Sequence, residues 1–154
     1  MAANQRARVA ALVEALGAEE AVRAGREALF PVGERLGREA RGRLGVGDGF
    51  GDLVRAAKVL YRVLGINFDI AREGPGAGTE SEPESEPGAT LLVDRCALSE
   101  HYTREACLIL SAADEGVVRG LNPAMGMEFR ERITEGAPKC VAQLRLSGGG
   151  GEGR

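Results

Sequence analysis

Asp114 is the residue whose type and position most clearly indicate chemistry. The residues around it have the alternating three- and four-residue spacing of the buried face of an amphipathic helix, and a carboxylate interrupts that face. A buried carboxylate requires a hydrogen-bond donor or acquires a raised pKa, and both states are useful to an acid–base catalyst. The sequence leaves a structural role open, in which Asp114 accepts backbone hydrogen bonds or pairs with Arg95. The predicted buried face comprises Cys107, Leu110, Asp114, Val117 and Leu121.

Two cysteines are candidates for a nucleophile. Cys96 ends one predicted strand and Cys140 begins another, where a thiol meets loops and a neighbouring base or cation can activate it. His101, the only histidine, follows Cys96 by five residues, so a Cys–His pair is also open. Cys107 is expected to be a small buried hydrophobe. The cysteine and histidine spacings match no common metal motif, so we expect no metal site and no cofactor.

Amphipathic helices occupy the part of the chain before these residues. Residues 4–16 carry apolar side chains at helical spacing, with Asn4 as the expected N-cap and Gly17 as the C-cap. The clearest helix covers residues 50–64, where the apolar residues fall on one face. The N-terminal part of the chain is therefore predicted to be helical.

The segment between these two helices, residues 19–44, keeps its helical phase past Pro31. Proline removes a backbone donor and clashes with the preceding turn, so the pattern predicts one kinked helix or two helices that meet there. The apolar residues expected to form its buried face are Val22, Leu29, Val32, Leu36, Ala40 and Leu44.

A change of period marks the start of a sheet. Ile66, Phe68 and Ile70 alternate with other residues, which is typical of a half-buried strand, and residues 90–96 form a second strand. Residues 73–88 between them are rich in Glu, Gly and Pro and lack large apolar side chains, so burial cannot offset their ordering entropy. We expect a flexible acidic excursion between two hairpin strands.

The C-terminal part is predicted to continue with a helix and two strands. The helix that contains Asp114 begins near Thr103 and ends at Asn122-Pro123. The last strand covers residues 140–146, after a turn at residues 135–138. In the strand before that turn, one face comprises Met125, Met127, Phe129, Glu131 and Ile133, and the other comprises Glu128, Arg130 and Arg132.

This order of elements predicts an α+β fold. Amphipathic N-terminal helices precede a largely antiparallel four-stranded sheet, and one helix is inserted between its second and third strands. We expect a helical part at residues 1–65, an α+β part at residues 66–146 and a disordered glycine-rich tail at residues 147–154.

Composition and charge exclude several classes of function. The net charge of −3 and the scattered basic residues argue against nucleic-acid binding. No apolar run is long enough for a membrane span or a signal peptide, so we expect no membrane partner and a cytoplasmic protein with free thiols. The five glutamates of the acidic excursion account for the net negative charge, and without the excursion and the tail the chain has a net charge of +2, which suits a small anionic ligand.

The second half of the chain resembles a known family. Cys96 after a strand, the run 114–123, Glu128, the run 132–136 and Cys140 closely match the pattern of the L-2-amino-thiazoline-4-carboxylic acid hydrolase family. More distantly, the same helix and final strand resemble vinyl-four-reductase type domains, which look like small-molecule-binding modules. The family resemblance implies a hydrolase that opens a cyclic amidine in a small carboxylic acid, by hydrolysis of a C–N bond.

Under this resemblance, water adds to the amidine carbon and the ring then opens. Asp114 is the first candidate for the base and His101 the second, while Cys96 or Cys140 is a candidate for a nucleophile that forms a covalent intermediate. The substrate carboxylate needs a cation, and a guanidinium matches its geometry. The candidate substrate-binding residues are Arg95, Arg130, Arg132 and Asn122.

A second hypothesis is a ligand-binding or sensor domain without turnover. It is motivated by Ala97, which follows Cys96 where members of the family typically carry proline. In that case Cys96, Cys140 and Asp114 line a pocket that only binds. The amphipathic N-terminal helices are also compatible with a homo-oligomer.

Overall fold

The computed structural model describes residues 2–47, 49–63, 66–73 and 88–146, and it has the predicted α+β fold. Four strands form one antiparallel sheet in the order β1-β2-β4-β3. A short 3₁₀ helix, Ile133–Glu135, lies between β3 and β4. The helices and strands are α1 (Ala2–Leu16), α2 (Ala18–Leu44), α3 (Phe50–Val63), β1 (Ile66–Glu73), β2 (Gly88–Cys96), α4 (Arg104–Leu121), β3 (Met125–Glu131) and β4 (Cys140–Leu146).

The two central strands show the predicted alternation. In β2, Leu91 and Val93 are buried, and in β4 the buried residues include Cys140 and Ala142. The register places Leu91 opposite Ala142 and Val93 opposite Cys140, so the apolar residues of both strands face the same core. The period of two therefore predicted correctly which face of this sheet is covered.

The strand predicted from Ile66 is confirmed, and it extends to Glu73, which pairs with Gly88 at the start of β2. The two strands are antiparallel neighbours, as a hairpin requires. Most of the acidic excursion, residues 74–87, and the glycine-rich tail at residues 147–154 lie outside the described residues.

Helix α2 is one continuous helix that contains Pro31, and its buried face differs from the predicted one. Leu36 and Leu44 of the predicted stripe are 53% and 49% exposed. Close packing against α4 explains the difference, because only residues without a side chain let two helix backbones approach this closely. The residues that α2 buries are Ala21, Gly25, Gly33 and Gly37.

The other side of this contact is also made by glycine. A Cβ atom at Gly116 of α4 would overlap the carbonyl oxygen of Phe30, and one at Gly120 would overlap that of Glu34. The side chains of Arg26 and Glu115 add an ion pair between the two helices at 2.6 Å. Helix α4 is therefore held rigidly between α2 and the sheet.

Both predicted ends of α4 are confirmed, whereas the predicted N-cap of α1 and the predicted strand position of Ile133 are wrong. Thr103 caps α4 by accepting a hydrogen bond from the Ala106 backbone, and Asn122 ends it. Asn4 lies inside α1, which begins at Ala2, so Asn4 is not its N-cap. Ile133 lies in the 3₁₀ helix and not on the face of β3, because the strand pairing shifts register at Phe129 and ends at Glu131.

The core lies between the sheet and helices α3 and α4. Its largest fully buried side chains are Leu53, Leu91, Leu121 and Met125, which come from all of these elements. Within the described residues, no helix combines the length and apolar character that crossing a bilayer needs.

Candidate functional site

A cavity of about 80 Å³ lies beside α4, at the end of the sheet where Cys96 and Cys140 are found. We call it the inner cavity. Three residues singled out from the sequence, Asp114, Cys96 and Cys140, line it together. Its lining comprises Tyr61, Ile66, Val93, Cys96, Leu98, Ser99, Tyr102, Cys107, Leu110, Ser111, Asp114, Phe129, Arg132, Thr134 and Cys140.

Burial governs the protonation of Asp114. It raises the pKa of Asp114 from 3.8 to about 7, and the negative charge of neighbouring Glu115 adds to the effect. Among the described residues, no side chain or backbone N–H donates a hydrogen bond to the Asp114 carboxylate, and Arg95 does not pair with it. The anchoring role that the sequence left open therefore finds no support in this region.

The raised pKa of Asp114 makes the free energy of unfolding depend on pH. The folded state holds the proton up to about pH 7, whereas the unfolded state loses it near pH 4, so stability falls between these values as pH rises. Asparagine does not titrate, so we expect Asp114→Asn to abolish this decrease of a few kcal/mol in the free energy of unfolding. Urea denaturation of both proteins at pH 5 and pH 8 measures this difference, and parallel pH profiles would contradict the assigned pKa.

Three buried polar atoms in the described part of the chain have no hydrogen-bond partner, and all three belong to residues of the inner cavity. They are the Tyr61 hydroxyl, Arg132 Nε and the Thr134 hydroxyl. The Thr134 hydroxyl lies close enough to the Cys107 thiol to favour its thiolate, without a hydrogen bond of ordinary geometry. Because buried polar groups are almost always paired in folded proteins, this convergence makes the inner cavity the candidate functional site.

Arg132 supplies the positive charge of the inner cavity. Arg132 is only 8% exposed, and its guanidinium carbon lies 4.9 Å from the centre of the Phe129 ring. Arg132 Nη2 donates to the Ser111 hydroxyl at 3.3 Å, and Arg132 Nη1 lies 3.6 Å from the Glu135 carboxylate. Glu135 also pairs with Arg104 at 3.0 Å, so it neutralises Arg132 only in part.

All three cysteines of the chain line the inner cavity, and burial makes two of them weakly acidic. Burial raises the pKa of the Cys107 thiol and that of the Cys140 thiol. The backbone N–H of Ile133 donates to Cys140 Sγ at 3.4 Å and lowers its pKa in part. These two thiols are therefore protonated at neutral pH and poor nucleophiles in the unliganded cavity.

The other residues proposed from the sequence lie elsewhere. His101 is exposed in the turn after β2, and Arg95 is exposed on that strand. Arg130 is exposed and pairs with Glu128 at 2.9 Å. Asn122 is buried at the end of α4, where its side chain accepts a hydrogen bond from the Ala124 backbone. None of these four candidates lines the inner cavity.

Tyr61 and Thr134 are cavity residues that sequence reasoning missed as site residues. Tyr61 belongs to the apolar face of α3, where its ring packs at 5.1 Å from that of Phe68, and the pattern identifies such a residue only as core. Thr134 lies in the 3₁₀ helix, whose position depends on the register shift in β3. No local signal in the sequence marks either hydroxyl as a ligand contact.

A second, larger depression of about 480 Å³ lies between α2, α3 and α4, and we call it the outer groove. Tyr61 and Asp114 line both the inner cavity and the outer groove, so they form the wall between the two. The outer groove is lined by Leu36, Glu39, Ala40, Arg43, Leu44, Ala57, Val59, Leu60, Tyr61, Asp114, Val117, Val118 and Leu121.

Metal ligands do not converge in the described ranges. No group of three or more His, Cys, Asp or Glu side chains there is arranged to hold a metal ion. The reactive groups of the inner cavity are therefore a carboxyl group, a guanidinium, hydroxyls and thiols.

Comparison with known proteins identifies both a family and a fold. The family model described as "L-2-amino-thiazoline-4-carboxylic acid hydrolase" matches residues 2–143. A solved structure of the phenol-responsive sensory domain of the transcription activator PoxR with phenol has a TM-score of 0.68 and 19% sequence identity, covering 95% of this chain and 74% of that one. No protein of curated function matches the chain.

A second solved structure extends the likeness in fold. It is a trafficking protein particle complex subunit 3 from Naegleria fowleri covalently bound to palmitic acid, with a TM-score of 0.57 and 18% identity over 93% of this chain and 95% of that chain. At identities this low, both structures show a shared fold and leave ligand and activity to be argued from this chain's own residues.

Proposed function

The chain belongs to the L-2-amino-thiazoline-4-carboxylic acid hydrolase family, and on that premise we propose that it hydrolyses a cyclic amidine in a small carboxylic acid. The observation that carries this proposal is the convergence of one cation, unpaired polar atoms and one weakly acidic carboxyl group on the inner cavity. The unpaired Arg132 Nε belongs to that cation. The Thr134 hydroxyl, two residues later in the chain, also has no partner in the described residues.

Arg132 and Thr134 are the proposed contacts of the substrate carboxylate. A guanidinium N–H without a partner binds a carboxylate strongly, because the charge-assisted hydrogen bond replaces an unsatisfied buried donor. The mostly apolar walls of the cavity lower the local dielectric constant, which strengthens this interaction. The ligand is therefore a small anion, with its carboxylate at the Arg132 end.

Asp114 is the proposed general base. A carboxylate with a pKa of about 7 is half deprotonated at neutral pH and is basic enough to take a proton from water that attacks the amidine carbon. As the ring opens, the same group returns the proton to the leaving atom. The Tyr61 hydroxyl has no hydrogen-bond partner in the described part of the chain, and it is the proposed donor to the substrate beside Asp114.

Direct attack by water is favoured over attack by the Cys107 or Cys140 thiol. The raised pKa values of Cys107 and Cys140 leave little thiolate at neutral pH. Cys140 is then proposed to line the cavity without reacting.

The direct test is incubation of the purified protein with 2-amino-thiazoline-4-carboxylate and related cyclic amidine acids. Ring opening is followed by chromatography and by the appearance of a new thiol or amine. Stabilisation of the protein by these compounds without any product would contradict hydrolysis and leave binding alone.

Arg132→Met should weaken binding of the carboxylic acid ligand. We expect an affinity loss of about tenfold to a hundredfold, because a hydrogen bond to a charged group contributes about 1.5–3 kcal/mol. The matched control is Arg130→Met, two residues earlier and exposed, which should bind like the unaltered protein. Isothermal titration calorimetry measures both, and equal losses in the two variants would remove Arg132 from the site.

A sensor without turnover is the second candidate, and one observation favours it. The PoxR sensory domain, whose fold this chain shares, was solved with phenol, a small molecule that the named domain responds to. In a sensor the same Arg132 contact would hold the ligand, but Asp114→Asn would leave its affinity intact and no product would form.

A further inference from the structure

The outer groove exposes an unusual amount of apolar side chain. Leu36, Leu44 and Val59 are 53%, 49% and 52% exposed, and all three line it. Scattered exposed apolar residues are ordinary, but these three converge on one concave surface of about 480 Å³. Such a surface indicates a binding site that the proposed chemistry at Arg132 does not use.

The groove adjoins the proposed site across two side chains. Tyr61 and Asp114 line both volumes, so a ligand held at the inner cavity reaches the groove when these two side chains move aside. Asp114, the proposed base, therefore stands at the middle of the combined volume and not at one end of it. The reacting bond of a substrate would lie between its two ends.

The inner cavity alone is too small for a ring with substituents. Its volume is about 80 Å³, whereas a protein cavity that binds benzene has about 150 Å³. A carboxylate and the first atoms attached to it fit this space. The rest of a larger ligand lies outside this space, and the outer groove beyond Tyr61 is the neighbouring apolar volume.

The charges differ between the two volumes. The inner cavity holds Arg132 and the unpaired polar atoms. In the outer groove the charged side chains of Glu39 and Arg43 lie 4.0 Å apart and neutralise each other, and the remaining lining is apolar except at Tyr61 and Asp114. The groove therefore suits an uncharged hydrocarbon portion, while the inner cavity suits an anionic head.

We infer that the outer groove is a second subsite, which holds an apolar extension of the carboxylic acid bound at Arg132. The substrate is then an acid with an alkyl or aryl-alkyl substituent, larger than an unsubstituted amino-thiazoline acid. This inference rests on the proposed function, since it takes the carboxylate to lie at Arg132.

Straight-chain carboxylates from butyrate to decanoate, below their micellar concentrations, probe the two subsites separately. Calorimetric titration of the full chain should show an affinity that increases about fourfold per added CH₂ once the chain passes Tyr61. Val59→Asp and Leu36→Lys should each weaken decanoate by about tenfold or more and leave butyrate unchanged. Leu16→Lys, at a leucine that is 47% exposed on α1 and outside the groove, is the matched control.

The outcomes separate the inference from the function on which it rests. Binding of butyrate with no gain along the series would overturn the second subsite and leave the proposed site intact. If no acid binds, the proposed function itself fails. If the groove variants dissociate an oligomer in sedimentation while decanoate affinity is unchanged, the groove is a contact between copies of the chain and the inference is wrong. If circular dichroism shows that either Val59→Asp or Leu36→Lys is unfolded, the decanoate affinity of the other variant tests the inference.

Discussion

Asp114→Asn should reduce the rate of ring opening by about 100-fold or more while the protein remains folded. The asparagine side chain is nearly the same size but cannot accept the proton from the attacking water, and loss of a general base costs about 10²–10⁴-fold in rate. Removing a buried acid with a pKa of about 7 should also stabilise the fold above neutral pH, so unfolding would not explain the loss.

The pH profile gives an independent readout of the same group. The rate with unaltered protein should increase from pH 6 to pH 8, as Asp114 loses its proton, and then level off. Asp94→Asn, at an exposed carboxylate of β2 outside the inner cavity, is the matched control and should behave like the unaltered protein. Unchanged turnover in Asp114→Asn would exclude this residue as the base.

Gly116→Ala should strongly destabilise the fold. The added Cβ would overlap the backbone carbonyl of Phe30, which cannot move away as a flexible side chain does. Helices α2 and α4 would have to separate, and we expect a loss of about 3 kcal/mol or more in the free energy of unfolding. Urea denaturation at pH 7 measures this loss directly.

Gly42→Ala in α2 is the matched control, since no other part of the described structure lies within 4 Å of the Cβ it would add. Alanine is the better helix former, so this variant should gain about 0.5–1 kcal/mol. If both substitutions had the same effect, the close approach of α2 and α4 would not be a source of stability.

The sheet could be predicted from the sequence because burial on one face leaves a period of two. β2 and β4 have that period, and so their buried residues were identified correctly. The buried face of α2 could not be predicted in the same way. In α2 the contact with α4 depends on Gly33 and Gly37, which have no side chain. Hydropathy instead predicts that Leu36 is buried, but it is exposed.

The site was partly predictable for a related reason. Asp114 stood out because a carboxylate on an apolar face conflicts with its surroundings, and the conflict is visible in the spacing alone. Arg132 did not stand out from Arg130, with which it shared a predicted strand face. The register shift in β3 turns Arg132 into the cavity, and that shift depends on the pairing with β4 and not on local sequence.

The clustering of every cysteine around one cavity has a practical consequence. Because Cys96, Cys107 and Cys140 all border the inner cavity, an alkylating reagent small enough to enter it would compete with whatever the protein binds there. The rate at which the free thiols are alkylated thus reports whether the inner cavity is occupied. Unknown compounds can be screened by how well they protect these thiols, before any product has been identified.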